Sequence, residues 1–123
     1  MIRIVNLKNY KSSNKEVLIK IDRTTSLGNP YKLPGTMPES KRDKVCDDYN
    51  SYIVDILKRY FSFTYDLTFR EQRVVDSLKD IAKTAKTRNI VLGCWCFPKR
   101  CHGETIIKVI QLFGDKLIEM DNV

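Results

Sequence analysis

The run Ile90-Val91-Leu92-Gly93 has no polar side chain, and it constrains the fold more than any other stretch of this chain. A strand at the centre of a parallel sheet is covered on both faces, so it carries apolar residues without alternation. We therefore expect residues 90–93 to form a central strand of a parallel sheet. A parallel sheet whose strands are connected through helices is typical of an α/β fold, which we therefore predict.

Further strands are predicted near both ends of the chain. β-branched residues predict strands at residues 2–7 and 17–21, and the short gap between them predicts that these two pair as a hairpin or lie as neighbours. A right-handed crossover would place the first strand beside and parallel to the strand at 90–93. Residues 116–120 predict an additional strand at an edge of the sheet.

Apolar residues at three- and four-residue spacing indicate amphipathic helices. This spacing predicts three helices, over residues 36–61, 68–86 and 104–113. Capping-box patterns at Thr36 and Thr68 begin the first two helices, and Gly114 is expected to end the third. Cys46 lies beside the apolar stripe of the first helix, and we interpret it as a small core or boundary residue.

Length and composition favour one folded unit. The chain has 123 residues, of which 42% are hydrophobic, and this excludes a disordered polypeptide. No apolar run reaches the roughly 18 residues of a transmembrane helix, and residues 1–6 lack the basic-then-apolar order of a secretion signal. We expect a cytoplasmic protein with reduced thiols. It should form a single α/β domain over residues 1–123, with a mostly parallel sheet of three to four strands flanked by helices.

Net charge points to anionic partners. The chain carries 22 Lys and Arg residues against 15 Asp and Glu residues, for a net charge of +7. Such a surface attracts nucleotides, nucleic acids and acidic proteins, although it is also compatible with an ordinary solvated surface. The sequence contains no long basic tail, RNA-recognition signature or zinc-finger signature.

The segment 93–103 concentrates the reactive residue types, with three of the four cysteines, the only tryptophan and the only histidine. It lies where a predicted strand gives way to a helix, a common place for functional groups in α/β proteins. One alternative is a zinc site, for which the candidate ligands are Cys94, Cys96, Cys101 and His102. The C-x-C spacing and the adjacent Cys-His pair depart from the usual zinc patterns.

Two other interpretations of this segment remain open. In the first, Cys96 or Cys101 is a nucleophile whose thiolate is stabilised by nearby cations and a helix N-terminus, with His102 as its base. In the second, the cysteines and Trp95 pack a tight turn, while His102 and backbone N–H groups at Gly103 recognise a ligand.

A second motif, in residues 23–30, has residue types that suit ligand binding. Arg23 offers a forked donor to phosphate or carboxylate, Gly28 permits close approach of a ligand to the backbone, and Asn29 carries both donors and an acceptor. Ser26 adds a hydroxyl. Gly-Asn-Pro is also a common turn, so this motif alone is a weak signal.

Together the two motifs resemble a known family. Ser26-Leu27-Gly28-Asn29-Pro30 and Leu92-Gly93-Cys94-Trp95-Cys96 with Cys101-His102-Gly103 are similar to the domain of unknown function numbered 4326. The resemblance covers nearly the whole chain. That family occurs in bacteriophages and in bacteria and has no established activity, so the resemblance implies a shared site in these two loops and leaves its chemistry open.

From these observations we expect the loops 23–30 and 93–103 to build one pocket at the ends of the strands. The residues expected to line it are Arg23, Ser26, Gly28, Asn29, Cys94, Cys96, Cys101, His102 and Gly103. The expected ligand is an anionic small molecule such as a nucleotide, in the host cytoplasm if the chain is phage-encoded, with no cofactor and no membrane partner. The alternatives are a cysteine-dependent enzyme acting on a nucleoside or base, and a basic module that binds nucleic acid or a host protein.

Overall fold

The computed structural model of the chain describes residues 1–31, 39–63 and 66–121. These residues form one three-stranded sheet and three helices, which confirms the predicted α/β class. The elements in chain order are β1 (Ile2–Asn6), β2 (Glu16–Lys20), α1 (Glu39–Phe61), α2 (Phe69–Ala85), β3 (Asn89–Cys94) and α3 (Gly103–Asp121).

Strand β3 lies in the middle of the sheet, in the order β1-β3-β2, and pairs in parallel with both neighbours. Ile4 pairs with Leu92 on one side, and Ile19 pairs with Leu92 on the other. The predicted central strand and its parallel pairing with β1 are therefore confirmed. The predicted pairing of β1 with β2 is wrong, because β3 inserts between them. Ile90, Val91, Leu92 and Cys94 of β3 are buried, as expected for a central strand that is covered on both faces.

The helices share one core with one face of the sheet. Alternate strand residues such as Ile90 and Leu92 belong to the same buried cluster as residues of all three helices. On α1 this cluster includes Tyr49, whose buried hydroxyl donates to the Leu27 carbonyl at 2.8 Å. Cys46 is also buried, as predicted from its place beside the apolar stripe.

The N-terminus of α2 has the predicted capping box. The Thr68 side chain accepts from the Glu71 N–H at 3.1 Å, and the Glu71 carboxylate accepts from the Thr68 N–H at 2.9 Å. A hydrogen bond from Arg59 of α1 is the main reason that the pKa of Glu71 falls to about 2. The other predicted capping box, at residues 36–39, lies outside the residues whose side chains are described.

Helix α3 is longer than predicted. It continues through Gly114 to Asp121, so both the expected end at Gly114 and the edge strand at 116–120 are wrong. Gly114 lies in a close contact with α2, where an added Cβ would be 3.6 Å from the Cβ of Ala82. Leu117, one turn further on, is fully buried. The glycine therefore serves helix–helix packing, and the apolar face continues beyond it.

Among the described residues, none of the helices combines the length and the apolar character needed to cross a membrane.

We expect Gly93→Ala to destabilise the fold by about 1 kcal/mol, the low end of the cost of overpacking, because the ends of the Leu7 and Leu18 side chains must shift. A Cβ on Gly93 would overlap the Leu7 side chain and lie 3.1 Å from the Leu18 Cδ1. Urea unfolding followed by circular dichroism measures the change.

Gly114→Ala is the matched control. Its new Cβ would meet Ile110 at 3.5 Å, an ordinary contact, and alanine in a helix interior is favoured over glycine by about 0.5–1 kcal/mol. We expect no loss of stability in this variant. Equal destabilisation of both variants would contradict this account of the sheet face at Gly93.

Candidate functional site

The two motif loops leave the same end of the sheet. The last two carbonyls of β3 accept hydrogen bonds from the residues that follow its two neighbouring strands. The Gly93 carbonyl accepts from the Ile21 N–H at 2.9 Å, and the Cys94 carbonyl accepts from the Leu7 N–H at 2.8 Å. The loop after β2 and the loop after β3 therefore start side by side. Carboxyl ends of parallel strands are the usual ligand sites of α/β sheets.

A cavity of about 360 Å³ lies between these two loops. Its lining comes from both loops and from α1 and is mostly apolar in area. The lining residues are Asp22, Arg23, Thr24, Asn29, Tyr31, Cys46, Cys94, Trp95, Cys96, Arg100, Cys101 and His102. Six of the residues expected to share a pocket are thus brought together, namely Arg23, Asn29, Cys94, Cys96, Cys101 and His102.

Polar side chains of the 23–30 loop are engaged in holding the loop itself. Asn29 lines the cavity, but its amide donates to the Val45 carbonyl at 3.4 Å and accepts from the Tyr31 N–H at 2.9 Å. Ser26 lies outside the cavity lining, where its hydroxyl contacts that of Ser77 on α2 at 3.0 Å. These two residues fix the loop to α1 and α2 instead of presenting unused polar groups to a ligand.

The two glycines expected at the site lie behind the cavity wall. A Cβ on Gly28 would overlap the backbone of Asp22 and Arg23, so the glycine lets two parts of its own loop approach closely. A Cβ on Gly103 would lie 3.0 Å from the ends of Ile4 and Ile21, so this glycine brings the start of α3 against the sheet. Both serve packing at positions where ligand contact was expected.

The N–H groups at the start of α3 are also occupied. Gly103 donates to the Cys101 sulfur at 3.4 Å, Glu104 to the Cys101 carbonyl at 3.1 Å, and Thr105 to the His102 carbonyl at 3.1 Å. The expectation that backbone N–H groups here recognise a ligand therefore needs correction. The cationic side chains that line the cavity are Arg23 and Arg100.

His102 is buried at the floor of the cavity and held in one orientation. Its Nε2 lies 2.5 Å from the Ile21 carbonyl oxygen. A carbonyl only accepts, so Nε2 carries the proton. Burial lowers the pKa of His102, which leaves Nδ1 as an acceptor, 3.7 Å from the Cys101 sulfur. The group that orients the histidine is a backbone carbonyl, for which the sequence carries no side-chain signal.

Cys101 is a hydrogen-bond donor within a cluster of three thiols. Its Sγ is 3.0 Å from that of Cys94 and donates to it, and the Cys101 thiol is also the main cause that lowers the pKa of Cys96. Because Cys94 and then Cys96 favour its protonated form, the pKa of Cys101 is raised. The bond from Cys101, with N–H groups of Phe97 and Cys96, lowers the pKa of Cys94 to about 7.

Cys96 has the strongest support for a thiolate. The hydrogen bond from Cys101 and then the Arg42 guanidinium lower the pKa of Cys96 to about 6. Cys101 has only one proton to donate, so it stabilises one neighbouring thiolate at a time. The charge of Arg42 also lowers the pKa of Cys96, so this sulfur has a cation acting on it in addition to the shared thiol. Of the three thiols, Cys96 has the lowest pKa and is the one most favoured as a thiolate.

The geometry favours a thiol cluster over the zinc alternative. The sulfurs of Cys94 and Cys101 are 3.0 Å apart, whereas two thiolates on one tetrahedral zinc ion are separated by about 3.8 Å. His102 has its Nε2 on the Ile21 carbonyl. Across the three described stretches, no group of three or more His, Cys, Asp or Glu side chains is arranged to hold a metal ion.

The mouth of the cavity contains a tryptophan and an arginine. Trp95 is 60% exposed, and its indole N–H donates to Asp22 at 3.1 Å. Hydrogen bonds from Thr24 and then from Trp95 lower the pKa of Asp22, so its carboxylate is charged and holds the indole in place. The interpretation of Trp95 as packing for a tight turn is wrong, because most of its ring faces solvent. Asp22, which holds Trp95 in place, lines the cavity but was not among the expected site residues.

Two arginines line the cavity with different electrostatic surroundings. Arg100 pairs with Asp43 at 3.1 Å and Asp47 at 2.8 Å, and these carboxylates compensate its charge. Arg23 donates to the Tyr31 carbonyl at 3.2 Å, and no described carboxylate forms an ion pair with it. The cation at the mouth that best suits an anionic ligand is therefore Arg23.

Comparison with known proteins identifies the family. The model of the family described as Domain of unknown function (DUF4326) matches residues 5–112, and this chain belongs to that family. The match includes both motif loops, as the sequence resemblance implied. No curated protein and no solved structure matches the chain.

The thiol cluster predicts an unusual pH profile of cysteine alkylation. We expect the rate at which iodoacetamide modifies Cys96 to reach half its maximum near pH 6, because its pKa is about 6 and the thiolate is the reacting form. Below that pH the thiol is protonated and slow, and above it the rate is level. Peptide mass spectrometry over a pH series measures the rate at each cysteine.

Arg42→Gln should move this midpoint upward, because it removes the cation beside the sulfur. Arg73→Gln is the matched control, since Arg73 is exposed on α2 and contacts the Phe69 ring instead of the thiols. A wild-type midpoint near 8.5, the value of an unperturbed cysteine, would show that the cluster does not activate Cys96.

Proposed function

We propose that this DUF4326 protein binds a small anionic ligand with a flat ring, of which a nucleotide is the class that fits best. The observation that carries the proposal is the cavity of about 360 Å³ between the two motif loops. This volume is within the range of small-molecule sites, which combine an apolar lining with a few placed polar groups.

The mouth of the cavity offers one group for each part of such a ligand. The exposed indole of Trp95, held by Asp22, is a stacking surface for a base. The Arg23 guanidinium supplies donors and charge for a phosphate. The net charge of +7 would favour the approach of an anion. If the chain is encoded by a phage, the ligand would be a nucleotide of the host cytoplasm.

A thermal-unfolding panel of mono-, di- and cyclic nucleotides tests this proposal. A ligand at 100 times its Kd stabilises the folded state by about 2.7 kcal/mol, so a true ligand should raise the unfolding midpoint by several degrees. Circular dichroism records the transition. Failure of every nucleotide in the panel to raise the midpoint would contradict the proposal.

Two variants test recognition of the base and of the phosphate separately, and calorimetric titration measures the affinity of each variant. Trp95→Ala should weaken binding by about 1–3 kcal/mol, the usual loss when a stacked base loses its aromatic partner. Arg23→Gln should reduce the preference for a nucleotide over its nucleoside. The matched controls are Phe69→Ala, which removes an exposed aromatic ring on α2, and Arg73→Gln. Equal weakening of binding in these controls would show that Trp95 and Arg23 do not contact the ligand.

A second candidate function is an enzyme in which Cys96 attacks an electrophilic carbon of a bound nucleoside or base. The observation that favours it is the position of Cys96, half-buried on the cavity wall with Arg42 and Cys101 as donors. The neutral His102 next to Cys101 would serve as a proton acceptor.

Binding and turnover can be separated with one substitution. If the protein is such an enzyme, Cys96→Ser should retain nucleotide binding in the calorimetric titration and lose conversion of the nucleotide, followed by chromatography. If the nucleotides are unchanged after long incubation with the wild-type protein, the protein binds nucleotides without converting them. Conversion by Cys96→Ser at the wild-type rate would exclude Cys96 as the nucleophile.

A further inference from the structure

We propose that the cluster of Cys94, Cys96 and Cys101 is a site of hydroperoxide oxidation, in which Cys96 reacts with the peroxide and Cys101 then closes a disulfide with it. The inference is independent of nucleotide binding. It follows from the way the four cysteines of the chain differ in access, in hydrogen bonding and in distance from one another.

Access selects Cys96 as the sulfur that meets the oxidant. All four cysteines line the cavity, but Cys94, Cys101 and Cys46 are 1%, 3% and 4% exposed, whereas Cys96 is only half-buried. A small hydroperoxide in the cavity therefore reaches Cys96 before the others. Thiols that oxidise selectively are accessible, are ionised and have a second thiol nearby.

The donors around Cys96 hold it in the reactive form. The Cys101 thiol and the Arg42 guanidinium both lower the pKa of Cys96, and Nε and Nη1 of Arg42 are buried. A buried guanidinium next to a sulfur favours the thiolate, because charge interactions are stronger away from water. The thiolate, and not the thiol, is the nucleophile toward a peroxide.

The chemistry balances in two steps. The Cys96 thiolate attacks one oxygen of the hydroperoxide, an S–O bond forms and the O–O bond breaks. The other oxygen leaves and takes a proton from solvent as water or alcohol, and the sulfur becomes a sulfenic acid. The Cys101 thiol then attacks this sulfur, its proton and the hydroxyl group leave as water, and a Cys96–Cys101 disulfide remains. Two electrons have passed from the thiols to the peroxide.

Cys101 is already placed for the second step. Cys96 and Cys101 line the same cavity, and the Cys101 thiol is the main cause that lowers the pKa of Cys96. The Nδ1 of His102 is 3.7 Å from the Cys101 sulfur and, because Nε2 holds the proton on the Ile21 carbonyl, it is an acceptor for the proton that Cys101 loses. Cys46 contacts the Arg100 carbonyl at 3.8 Å instead.

Tryptic mapping of the whole chain tests the proposal directly. Cleavage after Lys99 and Arg100 separates a peptide of residues 89–99, which holds Cys94 and Cys96, from a peptide of residues 101–108, which holds Cys101. Reduced protein is treated with hydrogen peroxide, remaining thiols are alkylated and the digest is analysed by mass spectrometry. We expect the two peptides to become joined with loss of two hydrogen atoms, with fragmentation placing the bond at Cys96. Cys46 in the same digest should stay reduced.

Substitutions of the two participants have opposite expected results. Cys96→Ser should slow oxidation of Cys101 at least tenfold. Cys101→Ser should leave a sulfenic acid on Cys96 that dimedone traps, with no disulfide inside the chain. Circular dichroism shows whether each variant is folded, and the order of oxidation in the wild-type time course gives an answer that needs no variant.

Several outcomes would overturn the proposal. These are oxidation of Cys46 or Cys94 before Cys96, a Cys94–Cys101 bond formed equally fast in Cys96→Ser, and disulfides only between chains. Nucleotide titration of the reduced protein is a separate measurement, so a negative result in one experiment leaves the other proposal standing.

Discussion

The hydrogen bonds at the carboxyl end of β3 determine where everything else at the site can lie. This strand is buried on both faces and paired on both edges, and its last two carbonyls, of Gly93 and Cys94, accept from Ile21 and Leu7. The loops that follow β2 and β3 are thereby forced to start together. His102 then returns a hydrogen bond from its Nε2 to the Ile21 carbonyl. The two loops and the start of α3 are in this way joined into one framework, with the cavity between them.

Local patterns in the sequence predicted most of the elements and the parallel pairing of β1 with β3, but not the strand order or the end of α3. The unbroken apolar run at 90–93 correctly indicated the central strand, and the Thr68 capping box correctly indicated the start of α2. Pairing of β1 with β2 was expected from their short connection, yet β3 takes the place between them, where an apolar strand is covered on both faces. Gly114 was misleading because a helix-ending glycine and a glycine at a close helix–helix contact have the same sequence signal.

The candidate site shows the same limit at the level of single atoms. Residue types correctly indicated that Arg23, Asn29 and the cysteines share a cavity, because strand ends in α/β sheets bring such loops together. The sequence did not show which groups are already occupied. The amide of Asn29 and the N–H groups of α3 are engaged inside the protein, and the carbonyl that orients His102 belongs to a backbone. Contacts between distant parts of the chain decide these matters.

The bond between Trp95 and Asp22 has an optical consequence. Trp95 is the only tryptophan in the chain, it is largely exposed, and its indole N–H is bonded to a charged carboxylate at the rim of the cavity. All indole fluorescence of the native protein therefore comes from a single ring in a single environment beside the thiols. Emission of the unmodified protein would report on this rim alone. Anything that covers the indole ring or breaks its hydrogen bond to Asp22 would change the wavelength or the intensity of this emission, without any label attached to the chain.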